Sequence, residues 1–170
     1  EGNTTRIGNK NFIMMNTHIA HDCQIGDEVT IANGVALAGH VTVEDHATIG
    51  GLSGIHQFVR IGKYAMIGGL SKAVMDAAPF STCDGNPTSF YGTNAVGLKR
   101  AGFSPEDRLV IRKALKMLLA SGKKLSTGIE EVLKEFPDHP EIGHLIHFVK
   151  SSRRGVARAG SVLREEPDEA

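Results

Sequence analysis

The sequence predicts a mainly β protein, in which a parallel β-helix of hexapeptide repeats is followed by a small C-terminal α-helical domain. An aliphatic residue recurs every six positions for eleven consecutive units, from Ile7 to Ile67. The string Ile-Gly-Gly-Leu-Ser occurs at 49–53 and recurs at 67–71, exactly three repeats later. Beyond residue 103, the apolar spacing becomes that of helices. These three observations together determine the predicted fold class.

Each repeat also places a small or β-branched residue four positions after the aliphatic one, as at Cys23, Val41 and Ser53. A period of six sustained in this way is the sequence pattern of a parallel β-helix, whose strands stack ~4.8 Å apart along the axis. The recurrence of a whole string after three repeats indicates three strands per coil. Known hexapeptide β-helices are left-handed, an exception to the usual right-handed crossover. We therefore expect a left-handed prism over residues 1–72.

The repeat register ends after Lys72, and the rest of the chain divides into three parts. Residues 73–102 contain prolines and several glycines, which predicts an irregular segment lying over the prism. Residues 103–155 are predicted to be helical, because Ser104 is an N-cap residue followed by a proline and two acidic residues. The expected helices run over 104–120, 126–136 and 140–152. Residues 156–170 are polar and are expected to be disordered.

Composition excludes several classes of function. The 19 Lys and Arg residues balance the 19 Asp and Glu residues, so no net field favours nucleic acid. No apolar run reaches the roughly 18 residues that a membrane span needs. The two cysteines form no disulfide framework, which favours a reducing, cytoplasmic compartment. The chain begins at Glu1 with the repeat already running by Ile7, so we expect it to be the C-terminal part of a longer protein.

The three-repeat period aligns polar residues in two neighbouring columns, which hold His21, Gly39 and Gln57, and Asp22, His40 and Phe58. An imidazole titrates near neutral pH and suits a general base. Asp22 would orient the His21 ring and stabilise its imidazolium form. The amide of Gly39 would stabilise a developing oxyanion. We interpret this stretch as an acyl-transfer centre. The alternative interpretation is an exposed histidine beside two corner residues, since Asp and Gly are common in turns.

Four strings carry a resemblance to a known family: His18-Ile19-Ala20-His21-Asp22-Cys23, Leu37-Ala38-Gly39-His40-Val41, Ile55-His56-Gln57-Phe58, and Gly97-Leu98-Lys99-Arg100 with Gly102-Phe103. In this order they resemble the acyl-carrier-protein:UDP-N-acetylglucosamine O-acyltransferases of lipid A biosynthesis. The resemblance covers residues 1 to about 155 and corresponds to the C-terminal two-thirds of those enzymes, without their N-terminal coils.

The resemblance implies transfer of a 3-hydroxyacyl group from the phosphopantetheine thioester of acyl carrier protein to the glucosamine 3-position of UDP-GlcNAc. It also implies a homotrimer with active sites between neighbouring prisms, in the cytoplasm of a Gram-negative-type bacterium. The catalytic residues would be His21, Asp22 and Gly39. Substrate contacts are implied for a further set of polar residues, namely His18, His40, His56, Gln57, Asn94 and Arg100.

Two Gly-Gly pairs, at 50–51 and 68–69, stack in adjacent coils and would leave a groove that suits an acyl chain. In the family, the residue matching Gly69 helps to set acyl length, so the resemblance implies that Gly51 and Gly69 line an acyl-chain groove. Corner geometry is the alternative explanation of both pairs.

A metal site is the main rival interpretation of the histidines, because gamma-type carbonic anhydrases are similar to this chain in fold. Those enzymes use a His-x4-His pair with a third His much earlier. The spacings here are His18-x2-His21 and His40-x5-His46, so we expect no metal and no bound cofactor. His46 is expected on a different face and simply exposed, and the histidines at 139, 144 and 147 are given no role.

Two other hypotheses stay open: the related N-acyltransferase of the same pathway, and an inactive, truncated β-helix scaffold. Pro87, Val96 and Ala101 differ from the family pattern and leave the nucleotide contacts, and the choice between hydroxyl and amine acceptor, undecided. Basic residues on the helical domain are hypothetical contacts for the acidic carrier protein: Lys113, Lys116, Lys123, Lys124, Arg153 and Arg154.

Overall fold

The computed structural model describes residues 4–160. In this part of the chain, twelve short strands wind into a prism: β1 (Arg6–Ile7), β2 (Phe12–Ile13), β3 (His18–Ile19), β4 (Gln24–Ile25), β5 (Thr30–Ile31), β6 (Ala36–Leu37), β7 (Thr42–Val43), β8 (Thr48–Ile49), β9 (Gly54–Ile55), β10 (Arg60–Ile61), β11 (Met66–Ile67) and β12 (Lys72–Ala73). Two longer strands, β13 (Ser81–Gly85) and β14 (Thr88–Thr93), form a hairpin.

The strands stack in three sheets, and every third strand along the chain pairs in parallel with the next. Ile19 lies beside Leu37, and Leu37 beside Ile55, so one coil spans the predicted three repeats. From Val29 to Ser71, the repeated aliphatic and small residues are buried and form the apolar interior of the prism. The predicted parallel β-helix is confirmed, and the hexapeptide pattern positions every outward side chain.

The corners of the prism are turned by the residue three positions after each aliphatic one. This residue has a positive φ in every coil, including 62° at Asp22, 60° at His40 and 66° at Phe58. Residues other than glycine rarely adopt a positive φ, because their Cβ atom is then too close to the backbone. The corners are nevertheless held by hydrogen bonds from coil to coil, as between the His40 amide and the His21 carbonyl at 3.0 Å. The stacking therefore aligns outward residues in columns.

The prediction that residues 73–102 are irregular is wrong. β12 continues the third sheet in register, and Ala77 forms a bridge with Ile61. β13 then pairs with β11, with Cys83 beside Ile67. Both pairings close a coil that is two residues shorter than the regular ones, so a fixed six-residue search does not detect it. Helix α1 (Ala95–Arg100) follows the hairpin.

The predicted helices are confirmed within two residues at their ends. They are α2 (Pro105–Leu115), which continues as a π-helical turn over Lys116–Ala120, α3 (Leu125–Glu135) and α4 (Pro140–Lys150). Their apolar faces form a second core with the hairpin. None of the helices in residues 4–160 is both long and apolar enough to cross a membrane.

Helix α4 is tied to the prism by polar contacts. His144 Nε2 lies 2.9 Å from Glu44 Oε2, and the Arg60 guanidinium lies 4.0 Å above the Phe148 ring. The chain then returns to the prism, where Val156 and Ala157 are buried. The prediction of disorder from residue 156 is therefore wrong for 156–160, and residues 161–170 lie outside the described part.

Candidate active site

His21 and Asp22 form a hydrogen-bonded pair on the corner between β3 and β4. His21 Nδ1 lies 2.7 Å from Asp22 Oδ2. A carboxylate only accepts hydrogen bonds, so Nδ1 of a neutral His21 carries the hydrogen and Nε2 keeps a lone pair. The His21 side chain is 69% exposed, whereas that of Asp22 is 15% exposed. The pair thus presents a basic nitrogen at the surface, oriented by a carboxylate beneath it.

Gly39 lies against the His21 ring. A Cβ atom at Gly39 would be 2.5 Å from His21 Cε1 and 2.6 Å from Nε2, so any other residue would displace the ring. At the matching position of another corner, the Asp27 amide donates to the Asp45 carboxylate at 2.8 Å. Among the described residues, nothing accepts a hydrogen bond from the Gly39 amide. Gly39 therefore combines a close approach to the His21 ring with a backbone N–H that is not used within the described part of the chain.

His40 lies close to the same carboxylate. Its Nε2 is 3.7 Å from Asp22 Oδ2, and its ring meets the His21 ring edge to face, with centroids 5.1 Å apart. Phe58 stacks on the other side of His40, with centroids 4.6 Å apart. Asp22 Oδ2 is therefore hydrogen-bonded to the His21 ring and lies within ion-pair distance of the His40 ring.

His21, Asp22 and His40 also bring three ligand atoms of the kind that bind transition metals within 4.8 Å of one another. The sequence spacing did not reveal this trio, because two of its members are adjacent in the chain and the third is brought close by coil stacking. The expectation of no metal stays a prediction.

The cysteine in the same coil, Cys23, lies in the apolar interior of the prism. Cys23 is buried, and its thiol donates to the Ala38 carbonyl at 3.2 Å. Burial raises the pKa of Cys23, so the thiol stays protonated at neutral pH and is a poor nucleophile.

Two parts of the chain match family descriptions. Residues 76–157 match the family described as "Udp N-acetylglucosamine O-acyltransferase; Domain 2", and residues 4–39 match "Bacterial transferase hexapeptide (six repeats)". The acyl-[acyl-carrier-protein]–UDP-N-acetylglucosamine O-acyltransferase of Anaeromyxobacter sp. (strain K) is 44% identical over 157 residues, which cover 92% of this chain and 61% of that protein. The enzyme of the same name from Gloeothece citriformis is 40% identical over 166 residues, covering 98% of this chain and 60% of that protein.

Solved structures of UDP-N-acetylglucosamine acyltransferases are also similar to this chain. The UDP-N-acetylglucosamine O-acyltransferase from Moraxella catarrhalis RH4 superposes with a TM-score of 0.87 at 41% identity, covering 91% of this chain and 60% of that chain. The Arabidopsis enzyme gives 0.85 at 34% identity, covering 89% and 56%. Over most of its length, the chain is therefore similar to the UDP-N-acetylglucosamine O-acyltransferases. It spans about 60% of the length of the curated relatives it matches.

Three of the residues that the acyltransferase resemblance assigns to substrate lie near the His21 corner. His18 lies in β3, three residues before His21. His56 and Gln57 follow β9, two coils above His18 and His21, and both are exposed. His56 Nδ1 approaches the Gln57 carbonyl at 3.2 Å. Together with His40, these residues lie in neighbouring columns around one corner of the prism.

The other predicted residues lie at different corners of the prism. Asn94 is the N-cap of α1, where its side chain accepts from Gly97 and donates to the Tyr64 carbonyl at 2.8 Å. Both ends of that amide are thus committed to the fold, on the corner between β10 and β11. Arg100 is exposed in the last turn of α1. Gly51 and Gly69 are on the third corner, between β8 and β9 and between β11 and β12. Within residues 4–160, a single chain does not bring these groups to His21.

The remaining histidines have partners that the sequence did not indicate. The His46 ring stacks on Tyr64 at 4.5 Å and lies 3.4 Å from Glu28, so it is more than an exposed residue on another face. His139 Nε2 lies 3.2 Å from Asp107, and His144 binds Glu44. The two members of the His46–Tyr64 stack are one coil apart in the chain, so the column period is the signal that would have found them.

Proposed function

We propose that this chain transfers an acyl group from an acyl-carrier-protein thioester to UDP-N-acetylglucosamine. The observation that carries the proposal is the 2.7 Å contact between His21 Nδ1 and Asp22, which leaves Nε2 free beside the Gly39 backbone. The proposed substrates are those in the names of the similar enzymes, and the exposed His21 is the proposed general base.

The reaction begins when Nε2 of His21 removes the proton from the acceptor hydroxyl. The hydroxyl oxygen attacks the thioester carbonyl carbon, forming the new C–O bond and a tetrahedral oxyanion. The Gly39 amide donates to that oxygen, a contribution worth ~3 kcal/mol in the transition state of comparable sites. The C–S bond then breaks, and the imidazolium returns the proton to the leaving sulfur, which departs as a thiol. Asp22 stabilises the imidazolium between these steps.

The acceptor proposed is the 3-hydroxyl of the glucosamine in UDP-GlcNAc, and the donor is a 3-hydroxyacyl group, as in the first step of lipid A biosynthesis in the cytoplasm of a Gram-negative-type bacterium. A thioester is already activated toward attack, so the proposed reaction needs neither a metal nor a bound cofactor. Two of the basic residues considered for carrier-protein docking have partners within the fold: Lys123 pairs with Glu131 at 2.7 Å, and Arg154 donates to the Val74 carbonyl.

A homotrimer would bring the dispersed groups together. His21, Asn94 and Gly69 lie on three different corners of one prism, so a complete site requires a corner from a neighbouring copy. Two exposed leucines, Leu52 and Leu70, add apolar surface on the corner that holds the two Gly-Gly pairs. We propose that the prism packs around a threefold axis with the substrates bound between subunits. Light scattering should then give three times the 18.2 kDa chain mass.

The direct test is an assay with 3-hydroxyacyl carrier protein and UDP-GlcNAc, comparing the wild-type chain with His21→Ala. His147→Ala is a matched control, because that histidine is exposed on α4, far along the chain from the site. We expect turnover by the wild type and the control and a loss of roughly 10³-fold or more in kcat for His21→Ala. Equal turnover by all three would exclude His21 as the base.

The outcomes also separate the rival hypotheses. Absence of turnover in all variants would favour the inactive scaffold. A UDP-sugar whose acceptor group is a free amine, and which reacts faster than UDP-GlcNAc, would favour the N-acyltransferase. Stoichiometric zinc in the purified protein would favour the carbonic anhydrase interpretation, which requires a bound metal.

A further inference from the structure

Phe58 is an aromatic residue in an unfavourable setting. Its side chain is 53% exposed, and its φ is 66°, a backbone region that side chains disfavour. The residue directly beneath it in the column is His40, and their rings stack with centroids 4.6 Å apart and an interplanar angle of 17°. The contact with His40 is what distinguishes this phenylalanine from an ordinary exposed one.

The stack restrains a ring that lies against the catalytic pair. His40 Nε2 is 3.7 Å from Asp22 Oδ2, the same oxygen that lies 2.7 Å from His21 Nδ1. The His40 ring is also perpendicular to the His21 ring, at an interplanar angle of 89°. The imidazole of His40 is therefore placed between Phe58 on one side and the Asp22–His21 pair on the other. A rotation of His40 would change the surroundings of Asp22 Oδ2.

We propose that Phe58 is a positioning residue for the acyl transfer: by stacking on His40, it holds His40 Nε2 toward Asp22 and so keeps the carboxylate aligned with His21. This inference rests on the proposed function, in which Asp22 orients the base. Phe58 itself touches no reacting atom. Its effect passes through the contacts from Phe58 to His40, from His40 to Asp22 and from Asp22 to His21.

A purely structural role for such a stack must be distinguished. His46 and Tyr64 stack in the same manner on another corner, at 4.5 Å and 5°, and there the tyrosine also contacts Phe103 in the helical domain. Aromatic residues one coil apart can therefore stabilise a corner without serving a site. The two roles predict different values of kcat and different NMR resonances for His21 in the Phe58 variants. They also predict different effects of Phe58→Ala in a variant that lacks His40.

The experiment uses the full chain and three substitutions, Phe58→Ala, Phe58→Leu and Phe58→Tyr, with Phe12→Ala as the matched control. Phe12 is 62% exposed in β2 and stacks on no other ring among residues 4–160, so its removal tests the general effect of losing an exposed phenylalanine. Phe58→Tyr keeps the stacking ring, whereas Phe58→Leu keeps apolar bulk without it. Steady-state kinetics would give kcat and the KM for the nucleotide sugar, and NMR would follow the imidazole resonances of His21 and His40.

We expect Phe58→Ala and Phe58→Leu to lower kcat roughly 10- to 100-fold, since misplacement of catalytic groups by about 1 Å has effects of this size. KM should change much less, and Phe58→Tyr should restore kcat. In the His40→Ala background, Phe58→Ala should have little further effect, because the two residues act in series. Unchanged kcat in Phe58→Ala, full recovery by leucine, or additive losses in the double variant would each overturn the proposal.

The NMR measurement separates this inference from the proposed function. Phe58 lies two coils above the His21–Asp22 corner, so loss of a stack that leaves the His40 ring in place would shift the His40 resonances alone. Positioning through Asp22 requires the His21 resonances to shift as well in Phe58→Ala and to recover in Phe58→Tyr. If the wild type turns over none of the proposed substrates, the function fails while this measurement still decides the coupling. Unchanged His21 resonances would overturn it.

Discussion

His144 on the last helix donates to Glu44 on the β-helix, with the two atoms 2.9 Å apart and the residues 100 positions apart in the chain. This hydrogen bond raises the pKa of His144 above its ordinary 6.5, against the lowering effect of burial. For Glu44, burial alone would raise the pKa, but the bond from His144 and the Lys63 amide bring it below the ordinary 4.5. The pair therefore links the helical domain to the prism over a defined range of pH.

The stability that this pair contributes should depend on pH in both directions. The raised pKa of His144 gives stability that is fully present below pH 6.5 and lost as pH rises through the folded-state value. The lowered pKa of Glu44 gives stability that is present above pH 4.5 and lost as pH falls through its folded-state value. His144→Ala should cost ~1 kcal/mol within this window, because the pair is only half-buried.

Thermal melts of His144→Ala and the wild type against pH would show this difference. It should shrink as pH rises through the folded-state pKa of His144, above which the imidazole is neutral in both the folded and unfolded states. The exposed His147→Ala is the control and should match the wild type at every pH. A His144→Ala deficit that stays constant from acid to alkaline pH would mean that packing, and not the ion pair, is lost.

Gly39→Ala should disable the site while leaving the fold intact. The added Cβ would lie 2.5 Å from His21 Cε1, so the imidazole must move. We expect kcat to fall roughly 100-fold, the size of effect associated with about 1 Å of displacement. Gly143→Ala is the control, because a Cβ there meets no atom within 4 Å and alanine favours the helix. Equal activity of both variants would show that the His21 position is not needed.

Asp22→Asn tests whether Asp22 serves the reaction or only the corner of the prism. Asparagine tolerates the positive φ of 62° at this corner, so the melting temperature should stay close to that of the wild type. An amide stabilises the His21 imidazolium poorly and does not fix its tautomer, so kcat should fall by roughly 10²- to 10⁴-fold. Steady-state kinetics beside a melting curve would check this. A large loss of stability with unchanged kcat would mean that Asp22 serves only the corner.

Gly69→Met tests the predicted acyl-chain groove. A Cβ at Gly69 would lie 3.4 Å from the Gly51 carbonyl oxygen, so the first atom of a side chain is accommodated there. If the groove holds the acyl chain, the variant should prefer donors shorter by several carbons, as measured by competition between carrier proteins with different acyl lengths. Gly102→Ala would be a poor control because its φ is 84°. Gly54→Ala, with open space around the added Cβ, is the better one, and it should keep the wild-type preference.

Asp76 should stabilise the C-terminal end of the prism. Its carboxylate accepts from the Arg60 amide at 2.9 Å and from the Ser152 hydroxyl at 2.7 Å, and the residue is buried. Asp76→Ala leaves the Arg60 amide without an acceptor and should cost about 2 kcal/mol. Denaturant unfolding would measure this loss. Asp138→Ala, at an exposed position between α3 and α4, should change stability by less than about 0.5 kcal/mol.

The regular part of the prism was predictable because one rule repeats. From Ile7 to Ile67, each coil has the same length, so the positions of His21, Gly39 and Gln57 follow from counting. The prediction failed at 73–102, where the coil shortens by two residues and alanine and cysteine replace isoleucine as the inward residues. A fixed period cannot reveal a coil of different length, and small buried residues carry little signal of burial.

The sequence by itself determined the β-helix, the helical domain and the column that contains His21 and Gly39. It did so because the apolar residues that become buried recur at regular intervals along the chain. Only the tertiary structure decided that Asp22 lies between two imidazoles, that Phe58 covers His40, and that His144 reaches Glu44. Those contacts depend on side-chain direction and on packing between distant segments. Neither is encoded in the spacing of residue types, since both arise only when the coils are stacked and the last helix is docked.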